Sequence, residues 1–257
     1  EDNHPLVIFI SDRGQQDHDA TDPTGHKPFL VLAHLFAESG FASLRLDDRG
    51  VGQSSGEPHA TIDEQALDVM AAIDRLEHED NIDSRNVLLL GHGVGGLVGA
   101  EVARKYPRVV KGVVMAGTPA FSGRDWLMTQ GRAADELHGI DKDVTEAALK
   151  IVGEWYDIVE NNEDPEVLVD TLEVATDSLL DAHSEVLIAY PLAVQLRRPN
   201  KREVIKERII PWISDFVDTR APERLNGLTL PVFALIADRD VVVPSEVNEP
   251  AWQDAFQ

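Results

Sequence analysis

Between the apolar run Val87-Leu88-Leu89-Leu90 and a segment of helical period through Lys105 stands Gly91-His92-Gly93-Val94-Gly95-Gly96. This is the frame of a tight strand-to-helix turn that holds one residue up for chemistry. The central residue of such a turn is held in a strained backbone conformation, and flanking side chains would collide unless they are glycine. The helix behind it offers free N–H groups to a developing oxyanion. Acyl transfer here needs a serine hydroxyl at the centre. The centre of this turn is Gly93, so nothing at that position can attack a carbonyl.

Other groupings carry weaker chemistry. The glycines of the turn also fit Gly-x-Gly-x-x-Gly, the order of a dinucleotide-binding turn. That motif belongs after the first strand, and an acid that would hold a ribose at the end of the next strand is missing, where Met115-Ala116-Gly117 stands instead. Asp17, His18 and Asp19 offer metal ligands, yet adjacent loop residues seldom converge on one ion, and a solvated loop is expected. Asp47 and Asp48 suggest paired carboxylates and are expected instead to order the Arg49 loop by hydrogen bonds. His92 is expected to pack against the sheet, and Ser54 and Ser55 have no recognisable base beside them. Trp126, Trp155, Tyr156 and Trp212 line an apolar pocket or, by default, pack a helical core. No cofactor and no metal site is expected.

The elements that must position these residues alternate. Leu6–Ile10 reads as a buried strand, Phe29–Ser39 as a helix stopped by Gly40, and Phe41–Leu46 as a second strand. Thr61, with Glu64 three residues on, is a capping-box start for a helix to about Glu79. Val87–Leu90 and Val109–Met115 are further strands. Strand and helix at this spacing predict a doubly wound, mostly parallel α/β sheet, since each parallel crossover needs a dozen or more residues. From Gly123 to about Asp218 long acidic helical segments replace strands, among them Val144–Glu160, Pro165–His183 and Lys201–Val217. The β signal resumes at Leu230–Ile236, followed by Asp238, Asp240 and a last helix from Ser245. The expected organisation is a discontinuous core, 1–121 and 218–257, with a helical cap inserted over 122–217. The cap is expected over the carboxyl ends of the strands, where open α/β sheets bind ligands.

Composition bounds the partners. The 257 residues hold 46 acidic against 23 basic side chains, a formal charge of −23. Nucleic acid is excluded, because phosphate binding needs a clustered cationic face. The absence of cysteine excludes thiolate nucleophiles, thiolate metal sites and disulfides. No run of some 18 uncharged apolar residues suggests a membrane span, and a soluble chain is expected, with the choice between cytoplasm and export open. The first residue is Glu1, which fits a processed or shortened chain from which a signal peptide would already be gone.

Taken together, His26-Lys27-Pro28-Phe29, Asp47-Asp48-Arg49-Gly50-Val51-Gly52-Gln53-Ser54 with Ser55-Gly56, the glycine-rich turn, Pro211-Trp212, and Pro231–Leu235 through Asp240 to Val243-Pro244 resemble the α/β-hydrolase esterases grouped with serine aminopeptidase-like and acyl-peptidase-like hydrolases. The resemblance covers nearly the whole chain. It implies a Ser–Asp–His triad in that order, which puts the nucleophile place at Gly93 and the acid place at Asp240. The histidine place has no occupant, because all nine histidines lie at or before His183. The resemblance further implies terminal strands before Leu6 and after Gln257. It also implies an oxyanion hole made by the N–H of Val94 and one N–H near Asp12. Two departures bear on that site: Asp12-Arg13-Gly14 stands where the family has a Gly-Ser-Gly-like loop, and Ala237 where it usually has glycine three residues before the acid. The expected function is that of an inactive relative of serine carboxylesterases that binds a small ester or acyl ligand under the cap. The alternatives are an active esterase seen in altered, shortened form and a non-catalytic binding module. Acyl preference and oligomeric state are not legible.

Overall fold

The computed structural model describes residues 3–58, 60–162, 164–188 and 190–256. The chain forms two compact units. The first takes everything up to Ala120, with Ala221–Asp240 and Ser245 onward, and the second takes Phe121–Arg220 with Val241–Pro244.

The first unit opens with β1 (His4–Ile10), α1 (Pro28–Glu38), β2 (Ala42–Arg45), α2 (Ile62–Leu76), β3 (Ile82–His92), α3 (Gly95–Lys105) and β4 (Val110–Ala116). After the second unit it resumes with α10 (Ala221–Leu225), β5 (Val232–Leu235) and α11 (Ser245–Ala255). The five strands form one sheet in the order β2-β1-β3-β4-β5, and every neighbouring pair is parallel. The chain thus lays β2 on one side of β1 and then turns back to lay β3, β4 and β5 on the other. The reversal falls between β1 and β3, and their carboxyl ends frame the crevice where open α/β sheets place their chemistry.

Side-chain alternation along β1 explains why helices cover both faces. Val7 and Phe9 point to one side, where they pack with Phe29 and Ala33 of α1. Ile10 points to the other, where Gly99 of α3 lets the helix settle onto Ile10, Leu89 and Val113. The start of α2 is set by the capping box: Thr61 Oγ1 accepts from the Glu64 N–H, and the Glu64 carboxylate accepts from the Thr61 N–H at 2.9 Å. Ile62, Ala66, Val69 and Ile73 then form its buried stripe.

Two strands differ most from their apolar runs. β3 begins at Ile82, five residues before Val87, because His4 and Pro5 pair with Ile82 and Asp83 across a register shift that precedes Leu6. Backbone pairing here extends a strand through polar residues. β5 is shorter than Leu230–Ile236 and leaves Phe233 and Leu235 exposed. It is an edge strand that pairs with β4 alone, and the preceding Pro231 has no N–H to add to the ladder.

The second unit is helical: α4 (Gly123–Leu137), α5 (Lys142–Glu160), α6 (Pro165–Ala182), α7 (Pro191–Leu196), α8 (Lys201–Val204) and α9 (Ile210–Thr219). A wide π turn, Ile205–Ile209, joins α8 to α9 where one helix was expected. Pro211 explains it, since a proline inside a helix lacks the N–H and crowds the carbonyl a turn earlier. Trp126, Trp155 and Tyr156 are buried within this unit, whereas Trp212 is partly exposed. Trp126 packs edge-on to Phe216, with ring centroids 5.0 Å apart, and Trp155 Nε1 donates to Thr176 Oγ1 at 2.9 Å. These aromatics pack a core. Among the described residues no helix is long and apolar enough to cross a membrane, and no cluster of His, Asp and Glu could hold a metal ion.

Candidate functional site

Asp12 leaves β1, and Gly93 and Val94 follow β3, so the sheet reversal brings residues from distant parts of the sequence to one point. Gly93 adopts φ +55° in the turn into α3, the left-handed region that L side chains rarely occupy. Its N–H donates to the Ala116 carbonyl at the end of β4 at 2.8 Å. The neighbouring glycines serve close approach. A Cβ on Gly91 would collide with the Gly95 backbone, and a Cβ on Gly95 with the carbonyls of Ile10 and Ser11. Gly95→Ala is therefore expected to destabilise the protein by about 2–3 kcal/mol, because rigid backbone rather than a mobile side chain must yield. Urea denaturation measures it. A loss below about 0.5 kcal/mol would mean that the turn has slack.

The point of convergence is an oxygen of Asp12. Asp12 Oδ1 accepts the N–H of Val94 at 2.8 Å and the N–H of Arg13 at 2.8 Å. Two convergent backbone donors at this distance are the arrangement that stabilises an oxyanion in acyl transfer, and here a side-chain carboxylate fills it. The same carboxylate fills the space over Gly93, where any Cβ would overlap its oxygen and carbon atoms. Asp12 thus meets the turn through its side chain as an acceptor rather than through its own N–H, and the second N–H bonded to it is that of Arg13. A phosphate would meet the same carboxylate, so the glycine spacing serves packing rather than a dinucleotide.

Asp240 stands beyond the end of β5. Its N–H donates to the Ala237 carbonyl at 3.4 Å, and its carboxylate lies 3.5 Å from where a Cβ of Gly117 would be. Gly117 follows β4 and donates its N–H to the Leu235 carbonyl, so Asp240 lies at the same carboxyl end of the strands as Gly93. His92, the last residue of β3, is exposed rather than packed against the sheet: it follows the buried Gly91, and alternation turns it outward. His59 lies outside the described residues.

The loops around the site are tied down by carboxylates. Asp48 accepts from Ser11 Oγ and from the Gln16 N–H, both at 2.9 Å. Its carboxylate therefore orders the loop after β1, while its carbonyl accepts the Val51 N–H at 3.0 Å and the Asp47 carboxylate accepts the Gln53 N–H, bonds that order the Arg49 loop as expected. The Arg49 side chain is held by α2, donating from Nε to Asp68 at 2.7 Å. Burial pushes the Asp48 carboxyl above the usual carboxylate range, and these hydrogen bonds oppose the shift only in part. Asp47 Oδ1 accepts the His18 N–H at 2.8 Å and lies 2.6 Å from His18 Nδ1, contacts that hold its carboxyl below the usual range. The segment Asp17–Asp19 is anchored rather than solvated. Asp17 accepts from the N–H and hydroxyl of Thr21, while Asp19 is buried and paired with Lys27 at 2.9 Å and with Arg45. Ser54 Oγ donates to the Asp47 carbonyl at 2.9 Å, a structural role.

One residue at this end of the sheet gave no signal in the sequence. Asn248, on α11, is fully buried; its Oδ1 accepts the Ala120 N–H at 2.8 Å and its Nδ2 donates to the Thr118 carbonyl at 3.0 Å. It fastens the segment after β4 to the last helix.

Comparison with known proteins identifies the family and the fold. The family described as serine aminopeptidase, S33, matches residues 27–255. Among solved structures, an esterase from Pyrococcus furiosus aligns with 98% of this chain and 69% of its own, at a TM-score of 0.55 and 15% identity. An α/β hydrolase from a Medee basin deep-sea metagenome library aligns with 100% and 79%, at 0.51 and 14%. A monoacylglycerol lipase from Paleococcus ferrophilus aligns with 98% and 82%, at 0.50 and 16%. At these identities the likeness is one of fold. An uncharacterized 31.7 kDa protein of Escherichia coli, from the traX-finO intergenic region, is 35% identical over 66 residues, 25% of this chain and 23% of that protein. The match thus spans about a quarter of each.

Proposed function

The chain belongs to the serine aminopeptidase S33 family of α/β-hydrolases, and from that premise we propose that it is a carboxylesterase-type relative that keeps the scaffold of acyl hydrolysis without performing it. One observation carries this reading. The Asp12 carboxylate accepts both backbone donors that would hold an oxyanion and covers Gly93, where a nucleophile would stand. An ester carbonyl would find neither an attacking hydroxyl nor a vacant pair of N–H groups. The substitution is also chemically coherent. A side chain at φ +55° costs on the order of 1–3 kcal/mol, a strain that catalysis justifies and that glycine removes. Ligand selectivity, for a small ester or acyl compound, is assigned to the helical insertion that leaves the chain after β4. Acyl binding in this reading is neutral, since a free carboxylate would be repelled by Asp12. The reading is tested by assay of short-chain p-nitrophenyl esters, for which turnover at background is expected; hydrolysis at an ordinary enzymatic rate would refute it.

A further inference from the structure

We propose that the cavity at the carboxyl ends of β1 and β2 is a binding site for a small organic cation, a primary ammonium group carrying an apolar body. The cavity measures about 580 Å³, the size of a small-molecule site. The loop after β1, the loop after β2 and α2 wall it. Neither Gly93 nor Asp12 lines it, so the proposal stands apart from the reading of the turn.

The lining has two characters. Phe9, Ile10, Leu46 and Val69 line it with apolar side chains, beside polar groups of which several donors are already engaged. Ser11 Oγ donates to Asp48, Ser54 Oγ to the Asp47 carbonyl and Gln65 Nε2 to the Ala60 carbonyl, at 2.9, 2.9 and 3.0 Å. Arg49 donates to Asp68 from Nε and Nη2 at 2.7 and 3.0 Å. These donors are engaged within the wall. The carboxylates retain acceptor capacity, because each Asp48 oxygen takes one of these bonds and a carboxylate oxygen can take two. An ammonium group brings donors to these open Asp48 acceptor positions, beside the side chains of Gln15, Gln53 and Ser55, which also line the cavity.

Charge selects the same class. Among the described residues Asp47, Asp48 and Asp68 line the cavity against the guanidinium of Arg49, which is already paired with Asp68 and Glu64. A carboxylate or phosphate ligand would be repelled. Burial raises the proton affinity of Asp48, and a cation seated beside it would relieve that cost. The chain's −23 charge draws cations toward the surface.

The test is calorimetric titration of the full chain with n-hexylammonium, 1-hexanol and hexanoate at low ionic strength. The expected result is one hexylammonium site, at least about 10-fold tighter than 1-hexanol, with no saturable heat from hexanoate. Asp48→Asn should weaken hexylammonium by about 10-fold, and Ala60→Trp, which fills the cavity from its rim, should abolish binding. Because Asp48 also orders the loop after β1, the Ala60→Trp result decides the matter if Asp48→Asn fails to fold. Equal affinity for hexylammonium and 1-hexanol, or hexylammonium binding that survives Ala60→Trp, would overturn the proposal.

Discussion

Gly93→Ser, introduced alone, is expected to lower stability by about 2–4 kcal/mol and to leave ester hydrolysis at background. Two costs combine. A serine at φ +55° carries backbone strain, and its Cβ must drive the Asp12 carboxylate out of the space it fills. Displacing Asp12 would also break its bonds to the N–H groups of Val94 and Arg13. The paired change Asp12→Gly with Gly93→Ser removes the collision and leaves the two donors facing the new hydroxyl. A double-mutant cycle should therefore show a favourable coupling of about 1–3 kcal/mol between the positions. Full additivity in urea denaturation, or esterase activity in Gly93→Ser alone, would show that Asp12 does not compete with a side chain at position 93.

Asn248→Leu should cost about 2–4 kcal/mol. The substitution keeps the branched outline, with bulkier methyl groups, but leaves the buried Ala120 N–H without its acceptor, and one such orphaned group costs roughly 1–3 kcal/mol before the cost of crowding is added. The Thr118 carbonyl fares better, since Trp252 Nε1 also donates to it at 3.2 Å. Asn248→Asp separates the two bonds by pH. Its Oδ1 still accepts from Ala120, while its second oxygen meets the Thr118 carbonyl. Burial and that carbonyl raise the folded-state pKa of the new carboxyl above its unfolded value of about 3.9. Its destabilisation is then largest above the folded pKa and shrinks as the pH falls through it, when the protonated acid can donate to Thr118. Equal loss in Asn248→Asp at pH 4 and pH 8, relative to the parent protein at each pH, would count against the hydrogen-bond account.

The features legible in the sequence were those fixed by neighbours in the chain. Thr61 and Glu64 announce α2 because a capping box is closed within four residues. Gly91 and Gly95 mark the turn because a strand entering a helix at that angle admits no Cβ. The family resemblance likewise rests on short motifs and agrees with the match over residues 27–255. Features that depend on distant partners were not legible. Asp12 read only as a charge near the site, since its donor Val94 is 82 residues away. Asn248 looked like an ordinary polar residue on an amphipathic helix, and its partners lie 128 and 130 residues earlier. His92 was misplaced for a related reason. An apolar run shows that a strand is buried but not where its last side chain escapes the neighbouring layer.

On the function proposed above, no described residue holds an oxygen poised for attack, the turn after β3 being glycine with a carboxylate seated over it. Incubation of the full chain with a fluorophosphonate probe, followed by intact-mass and peptide mapping, tests this directly. The account predicts an unmodified mass under conditions in which an active serine esterase labels completely. A stoichiometric phosphonyl adduct on any residue would contradict it.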